Sequence, residues 1–382
     1  MGNAYKYFLV VVCLAVLLLP AMQRVFQIIP LQQYALVKVP ENAGVPEPVF
    51  KNFLENTYQD SVISWFNATT GFRPLLLRLR NQIDYSCFNI ARGRTMSGKD
   101  GYLYLDESVQ RYTGETYDSA FICRRMDSVE MLRKYLAQRN IPLLFVVEPG
   151  KAAFYKQHLP DEAVAMKKSL TAYELLLGQL QAKQIDYIDL ASYYIKIREH
   201  SPYELFPKLG MHWTNYGAAV GLDTVYKKIA RVLNFEPLKI DLSKVTLSTE
   251  LKFPEDDLAE MMNILKIKHL DTLATPVPVC SPPDSQAVRK PKILFIGDSY
   301  TYMFGFTNLP LQLFDPGSRY WFYMKSEKDF ADIMKEGTDL SKKDLLSALK
   351  QFDMVLILST DARYDYGDYG LYGRLITEKA TQ

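Results

Sequence analysis

Cysteine, histidine and an excess of either charge are all scarce in this chain. Among 382 residues there are four Cys and four His. Four cysteines with no CxxC pair exclude a disulfide scaffold and a cysteine-based structural zinc site. The few histidines leave little for a His-rich metal site, and no cofactor is expected. Lys and Arg number 45 against 43 Asp and Glu, so no basic field is available to hold nucleic acid. Internal repeats and low-complexity tracts are missing too. What is present is a chain 48% hydrophobic, enough for a packed core and too apolar for disorder. Its length allows one large domain with a smaller element, or two domains. Tyrosine is abundant at 26 residues. Its ring suits semi-buried packing and also polar ligands such as sugars.

The one long apolar run lies at the N-terminus. Tyr7 to Met22 carries no charge and follows Lys6. Ala4 and Tyr5 extend it toward the ~20 residues that a membrane span needs. Leu19-Pro20-Ala21-Met22 is a poor small-x-small cleavage site, so residues 1–24 read as an uncleaved anchor rather than a removed signal peptide. The body is then exported. Cys87, Cys123 and Cys280 would lie outside the cytoplasm, where at most one disulfide leaves one thiol over.

Residues 25–95 read as an extended, proline-bearing linker (Pro30, Pro40, Pro46, Pro48) followed by a helical lead-in. Leu75, Leu76, Leu79 and Ile83 there share one helical face, opened by Arg73-Pro74. From 96 to 382 helix and strand alternate. Short apolar runs at Ile141–Val147, Ile185–Leu190, Ile293–Ile296, Tyr320–Met324 and Met354–Leu358 predict buried strands. Helical spacing over Met126–Leu136, Leu170–Leu180, Ala218–Leu233 and Leu340–Leu349 separates them, the last with Ser341 and Asp344 in capping-box spacing. That pattern predicts an α/β domain, a mainly parallel sheet with helices on both faces. Residues 240–290 interrupt it with Pro254, Pro276, Pro278, Pro282 and Pro283, and read as an insertion rather than sheet.

The most informative stretch is Ile293-Leu294-Phe295-Ile296-Gly297-Asp298-Ser299-Tyr300. A buried strand runs into Gly-Asp-Ser, and ligands of open α/β sheets bind at the carboxyl ends of strands. Ser299 is thus a candidate nucleophile, although Ser and Asp are equally good helix caps. The Ser299 backbone N–H is a candidate oxyanion donor. A serine needs a base. The candidate is His212 in Gly210-Met211-His212-Trp213-Thr214-Asn215-Tyr216-Gly217, whose plainer reading is a structural histidine. Lys151, in Glu148-Pro149-Gly150-Lys151 at a third strand end, is a candidate substrate contact or a partner of Glu148. Trp213, Tyr300 and Tyr302 are candidates to stack on sugar rings, or simply core.

Four segments together resemble the alginate O-acetyltransferase family, the AlgJ/AlgX or DHHW-type group. These are Gly98-Lys99-Asp100-Gly101-Tyr102-Leu103-Tyr104, Glu148-Pro149-Gly150-Lys151, Gly210-Met211-His212-Trp213-Thr214-Asn215-Tyr216-Gly217-Ala218 and Ile296-Gly297-Asp298-Ser299-Tyr300. The resemblance runs from about residue 60 to the C-terminus, with the proline-rich region a poor match. It implies an SGNH-hydrolase-like (flavodoxin-like) domain in which Ser299 matches the nucleophile and His212 the base. It also implies acetyl transfer to, or removal from, an exported polysaccharide at the cell inner membrane, with a periplasmic catalytic domain. A membrane-bound O-acyltransferase partner would supply the acetyl group. One departure stands out. The family's best-known members carry an acid two residues before the histidine, where this chain has Gly210. The missing carboxylate is sought in Asp361, Glu204 or Asp223; otherwise a backbone carbonyl orients the ring. Two other functions stay open: a carbohydrate esterase or deacetylase on the same fold, and a non-catalytic polysaccharide-binding or assembly subunit.

Overall fold

A computed structural model describes residues 2–27, 29, 57–114, 118–166, 170–267, 271–282 and 288–381. Most of the stretch read as a linker, together with His269 and Pro283, lies outside the described residues. The chain divides into two units, residues 1–93 with 262–268, and residues 94–261 with 269–382.

The first unit is helical. α1 (Gly2–Phe26) spans 25 residues, about 37 Å at the α-helical rise. Residues Ala4–Phe26 have a mean hydropathy of 2.3, and this is the one helix among the described residues long and apolar enough to cross a membrane. The expected helical stretch after the linker is two helices, α2 (Thr57–Thr69) and α3 (Arg73–Phe88), parted by a turn at Gly71-Phe72. A Cβ on Gly71 would lie 2.3 Å from the Pro20 carbonyl, so the end of α1 passes directly over that turn. The guanidinium of Arg24 stacks on Trp65. Leu76, Leu79 and Ile83 remain exposed on α3.

The second unit is an α/β sandwich. It opens with a ladder of β1 (Thr95–Ser97) and β2 (Leu103–Leu105), followed by α4 (Asp106–Thr113) and α5 (Ser119–Ala137). β3 (Leu143–Val147), α6 (Ala172–Ala182), β4 (Tyr187–Asp189), α7 (Leu190–Ile197) and α8 (Asn215–Val232) come next. The region expected to hold no sheet instead forms two antiparallel ladders. β5 (Lys239–Asp241) pairs with β8 (Val279–Ser281), and β6 (Val245–Ser248) with β7 (Leu273–Pro276). Prolines are tolerated because two-stranded ladders are all edge. Between them lies the short helix α9 (Asp257–Met261). β9 (Ile293–Gly297), β10 (Arg319–Phe322), β11 (Ser326–Lys328), β12 (Thr338–Asp339), α10 (Leu345–Leu349), β13 (Met354–Ser359) and α11 (Leu371–Thr381) complete the unit.

The main sheet has the order β12-β11-β10-β9-β13-β3-β4. Its five strands from β10 to β4 are parallel, and β11 and β12 add an antiparallel edge. Alternation explains the continuous apolar runs. Leu144, Val146, Phe295 and Leu356 meet Ala218, Leu222, Val225 and Ile229 of α8 on one face. Phe145, Ile296, Val355 and Ile357 meet Met126, Leu132, Leu176, Leu345 and Leu375 on the other. Both faces are therefore dry, as parallel sheets require. α10 is shorter than the spacing suggested. Asp344 caps it by accepting from the Ser347 N–H, while Ser341 bonds Asp339 instead. All four cysteines are free thiols.

The chain runs outward from β3 to β4 and, in the opposite direction, from β9 to β10. The crevice of such a sheet opens where those directions diverge, at the carboxyl ends of β3, β13 and β9. Register puts Val147 beside Ser359, and Gly297 beside Phe322. Glu148, Thr360 and Asp298 consequently follow one another along one rim.

Candidate active site

β9 ends at Gly297, and the chain turns at once into the helical turn Ser299–Thr301. The turn is held from beneath. Asp298 accepts from the Tyr300 N–H at 3.0 Å, and from the Thr360 N–H and hydroxyl at 3.0 and 2.8 Å. The Tyr320 hydroxyl donates to the Asp298 carbonyl. A Cβ at Gly297 would lie 2.5 Å from the Thr301 hydroxyl, so the strand exit admits only glycine without rearrangement. Ser299 is left partly exposed on the rim. Its N–H begins a helical turn, where no intrahelical carbonyl accepts it.

The loop before α8 brings His212 to the same place. His212 Nε2 lies 2.9 Å from Ser299 Oγ. Its Nδ1 lies 2.6 Å from a carboxylate oxygen of Asp257, and the other Asp257 oxygen accepts from the Met211 N–H at 2.7 Å. Asp257 and His212 are both buried. The carboxylate accepts a hydrogen bond from Nδ1–H, which leaves the Nε2 lone pair for the serine hydroxyl. This is the arrangement that turns a serine into a nucleophile.

The acid beside His212 is thus Asp257, and none of the three anticipated carboxylates occupies that position. Glu204 accepts from the Tyr155 hydroxyl. Asp223 pairs with Lys227 one turn along α8, at 2.6 Å. Asp361 follows β13 and accepts from Ser108 at 3.1 Å. Gly210 explains the departure from the family pattern. A Cβ there would lie 2.6 Å from the Glu255 carbonyl and 2.8 Å from that of Pro254. The 254–259 segment runs directly over Gly210, and the Ala259 N–H donates to the Leu209 carbonyl at 3.2 Å. An acid at 210 would displace the very loop that supplies Asp257.

The expected substrate contacts divide differently. Lys151 is buried, and its ammonium donates to the carbonyls of Lys208 and Gly210, each at 2.7 Å. It ties down the His212 loop. Burial pushes its pKa well down, with Asp257 and Asp271 opposing. Trp213 is fully buried against Tyr194, Phe304 and Tyr300, and its indole N–H donates to the Tyr300 carbonyl. Tyr300 is buried, lies against the His212 ring and donates to the Met211 carbonyl. Both are core and loop support rather than sugar platforms. Tyr302 is half-buried, edge-on to Tyr320 and Phe322.

Two further neighbours of the site were not among the expected site residues, and Glu148, considered as a partner of Lys151, is not bonded to it. Tyr323 follows β10 with φ +50°, outside the strand expected to include it. Its hydroxyl lies 3.4 Å from Arg363 Nε. Burial raises its phenol pKa and Asp298 adds, while Arg363 and Ser299 pull it down. A non-glycine residue in left-handed conformation at a site rim is strain held in place by its surroundings. Beneath the serine turn, Glu148 is wholly buried, and burial with the adjacent Asp298 pushes its carboxyl well above the usual range.

The geometry can be set against known proteins. The family model "SGNH hydrolase-like domain, acetyltransferase AlgX" matches residues 95–312, more than half of the chain. The chain belongs to this family. The matched segment contains His212, Asp257 and Ser299. The "Probable alginate O-acetylase AlgJ" of Pseudomonas aeruginosa is 24% identical over 188 residues, 48% of this chain and 45% of that protein. The Pseudomonas fluorescens protein of the same name is 27% identical over 186 residues, 48% of this chain and 46% of that protein. The chain spans about half the length of these curated relatives. The solved O-acetyltransferase domain of Pseudomonas putida AlgJ superposes with a TM-score of 0.50 at 15% identity, covering 76% of this chain and all of that one. The fold is accordingly SGNH-hydrolase-like.

Proposed function

We propose that this AlgX-family chain is a serine-dependent O-acetyltransferase that modifies an exported polysaccharide through an acetyl-serine intermediate. The observation that carries this reading is the hydrogen-bonded series Asp257–His212–Ser299 at the sheet rim. The names of the AlgJ relatives support the choice of acetyl group and polysaccharide.

His212 Nε2 takes the hydroxyl proton as Ser299 Oγ attacks the acetyl carbonyl of an activated ester. Asp257 stabilises the imidazolium that forms and keeps its Nδ1 proton in place. The Ser299 N–H faces the developing oxyanion. His212 then gives its proton to the departing group, leaving acetyl-Ser299. A sugar hydroxyl enters and its oxygen attacks the acetyl carbonyl as His212 removes its proton; the bond from Ser299 Oγ to the acetyl carbon then breaks, His212 returns the proton to Ser299 Oγ, and the acetyl group is left on the sugar oxygen.

The apolar α1 supports a single-pass anchor that holds the second unit at the outer face of an inner membrane. A membrane-bound O-acyltransferase supplying the acetyl group is the partner this reading calls for.

The test uses 4-nitrophenyl acetate. A burst of nitrophenolate, with an acetyl adduct on the Ser299 peptide, is expected from the native chain and not from Ser299→Ala. Added oligosaccharide then separates transfer from hydrolysis. A burst that persists in Ser299→Ala removes the proposal.

A further inference from the structure

Glu148 takes no part in the chemistry described above, yet it lies directly beneath it. The residue is 0% exposed, and among the described residues no donor meets either of its carboxyl oxygens. Its main chain is fixed to the rim. The Glu148 N–H donates to the Ser359 carbonyl at 2.9 Å, and the Tyr364 hydroxyl donates to the Glu148 carbonyl at 3.3 Å. The group its carboxyl faces is another carboxyl, that of Asp298, which is 1% exposed. Two carboxylates cannot bond each other, because each only accepts. Two like charges in contact in a dry place do not both persist, and such a pair shares one proton. The donors say where it sits. Asp298 accepts from the Tyr300 N–H, the Thr360 N–H and the Thr360 hydroxyl, and donors favour a charged acceptor. Glu148 receives none. The charge is supported on Asp298 and the proton on Glu148.

The surroundings supply no other source of a hydrogen. Five tyrosines lie close enough to feel a charge on Glu148: Tyr194 of α7, Tyr300 of the serine turn, Tyr320 of β10, and Tyr364 and Tyr369 after β13. Each hydroxyl hydrogen is already committed to a main-chain carbonyl, of Gly217, Met211, Asp298, Glu148 and Leu358 in turn. Cations are engaged elsewhere too. The Lys151 ammonium, three residues on, donates to the carbonyls of Lys208 and Gly210 and answers to Asp257 and Asp271. His212 is turned to Asp257 and Ser299. The other acid near the pair, Asp361, adds negative charge rather than offsetting it.

Place gives the proton its meaning. One Asp298 oxygen holds the Tyr300 N–H inside the serine turn, and the other holds Thr360 at the end of β13. The Asp298 carboxylate therefore sets where Ser299 stands relative to the central strands. A second negative charge against it would pull on the bonds that do so. We infer that Glu148 is a positioning residue of the site: as a neutral acid it donates a hydrogen bond to the Asp298 carboxylate and so braces the turn that carries Ser299. The inference takes its purpose from the acetyltransferase reading, but the proton itself is tested without any reaction.

Glu148→Gln keeps the shape and a donor but cannot ionise, and Glu148→Met keeps the length without a donor. The full chain in detergent is unfolded in urea at a series of pH values, with the fluorescence of Trp213 and Trp321, both fully buried in the α/β unit, as the signal. A proton held by the folded chain and released by the unfolded one stabilises fully below the ordinary glutamate range near pH 4, and that stability is lost as pH rises. Glutamine has no such loss, and Asp361 titrates in both chains and cancels. The folding constant of Glu148→Gln relative to the native chain is expected to rise with pH above about 5, with a limiting slope of about tenfold per pH unit, the signature of one proton. A ratio that stays level from about pH 5 to pH 8 removes the proton and overturns the inference, whether or not the methionine chain folds. Positioning is read in the nitrophenyl acetate burst. Glu148→Met should slow it about tenfold, the scale of one hydrogen bond made to a charged group, and Glu148→Gln should recover most of that loss. Equal burst rates in the two variants leave Glu148 with bulk alone and overturn the positioning role. A rising ratio in a native chain that gives no burst refutes the acetyl-transfer reading and retains Glu148 as the brace of the turn.

Discussion

His212 shows how one side chain is defined by what flanks it. With Asp257 on Nδ1 and Ser299 on Nε2, the imidazole has one tautomer that satisfies both neighbours. Asp257→Asn keeps the shape and loses the charge. We expect the acetylation rate to fall about a thousandfold or more, the scale seen when a triad acid is neutralised, with the melting transition retained; rapid-mixing burst kinetics would measure it. Asp361 makes a separate prediction. Burial pushes its carboxyl up to about 7, with Asp298 and Glu107 adding and Ser108 and the Ala362 N–H opposing. The folded protein thus holds this proton more tightly than the unfolded chain. The stability that goes with it is complete below the ordinary carboxyl range near pH 4 and is lost as pH climbs to 7, up to about 4 kcal/mol. Asparagine never ionises. Denaturant titrations at pH 5 and pH 8 should show Asp361→Asn gaining on the native chain at the higher pH; parallel curves would contradict the assignment.

At the scale of elements, the site is a meeting of strand ends and loops. β9, β13 and β3 were readable as apolar runs because both of their faces are buried, and periodicity reports burial directly. The loop bearing His212 is held by three separate groups: the Lys151 ammonium, the Asp257 carboxylate and the main chain at Leu209. Lys151→Met would strand two carbonyls in a dry place. A loss of about 3 kcal/mol in stability is expected, together with a slower burst, because the imidazole loses its support. Urea unfolding and burst rate measured on the same sample check both; unchanged values would mean the loop is held without the lysine. The prolines of residues 240–290 hid the segment that matters. They mark edges and turns, and an edge ladder lacks the long apolar alternation of a central strand.

For the whole molecule, the proposed anchor assigns α1 and the α/β unit to different solvents. α1 exposes apolar side chains along its length, which water does not tolerate on a 25-residue helix. Removing residues 1–27 should move the protein from the membrane pellet to the soluble fraction on ultracentrifugation. A truncated chain that still pellets with lipid would locate the attachment elsewhere.

Composition and periodicity by themselves determined the apolar N-terminal helix, the parallel sheet and the rim on which Gly-Asp-Ser sits, because each depends on local pattern and on burial. They also singled out the serine and the histidine, which stand next to recognisable elements. The third member of the series was decided only by tertiary structure. Asp257 is 45 residues from His212 along the chain, in a proline-rich stretch with no period. It reaches the ring because the bare Cα of Gly210 lets that stretch cross over it. A hydrogen bond between distant segments depends on where the backbone passes, and no window of sequence contains that path.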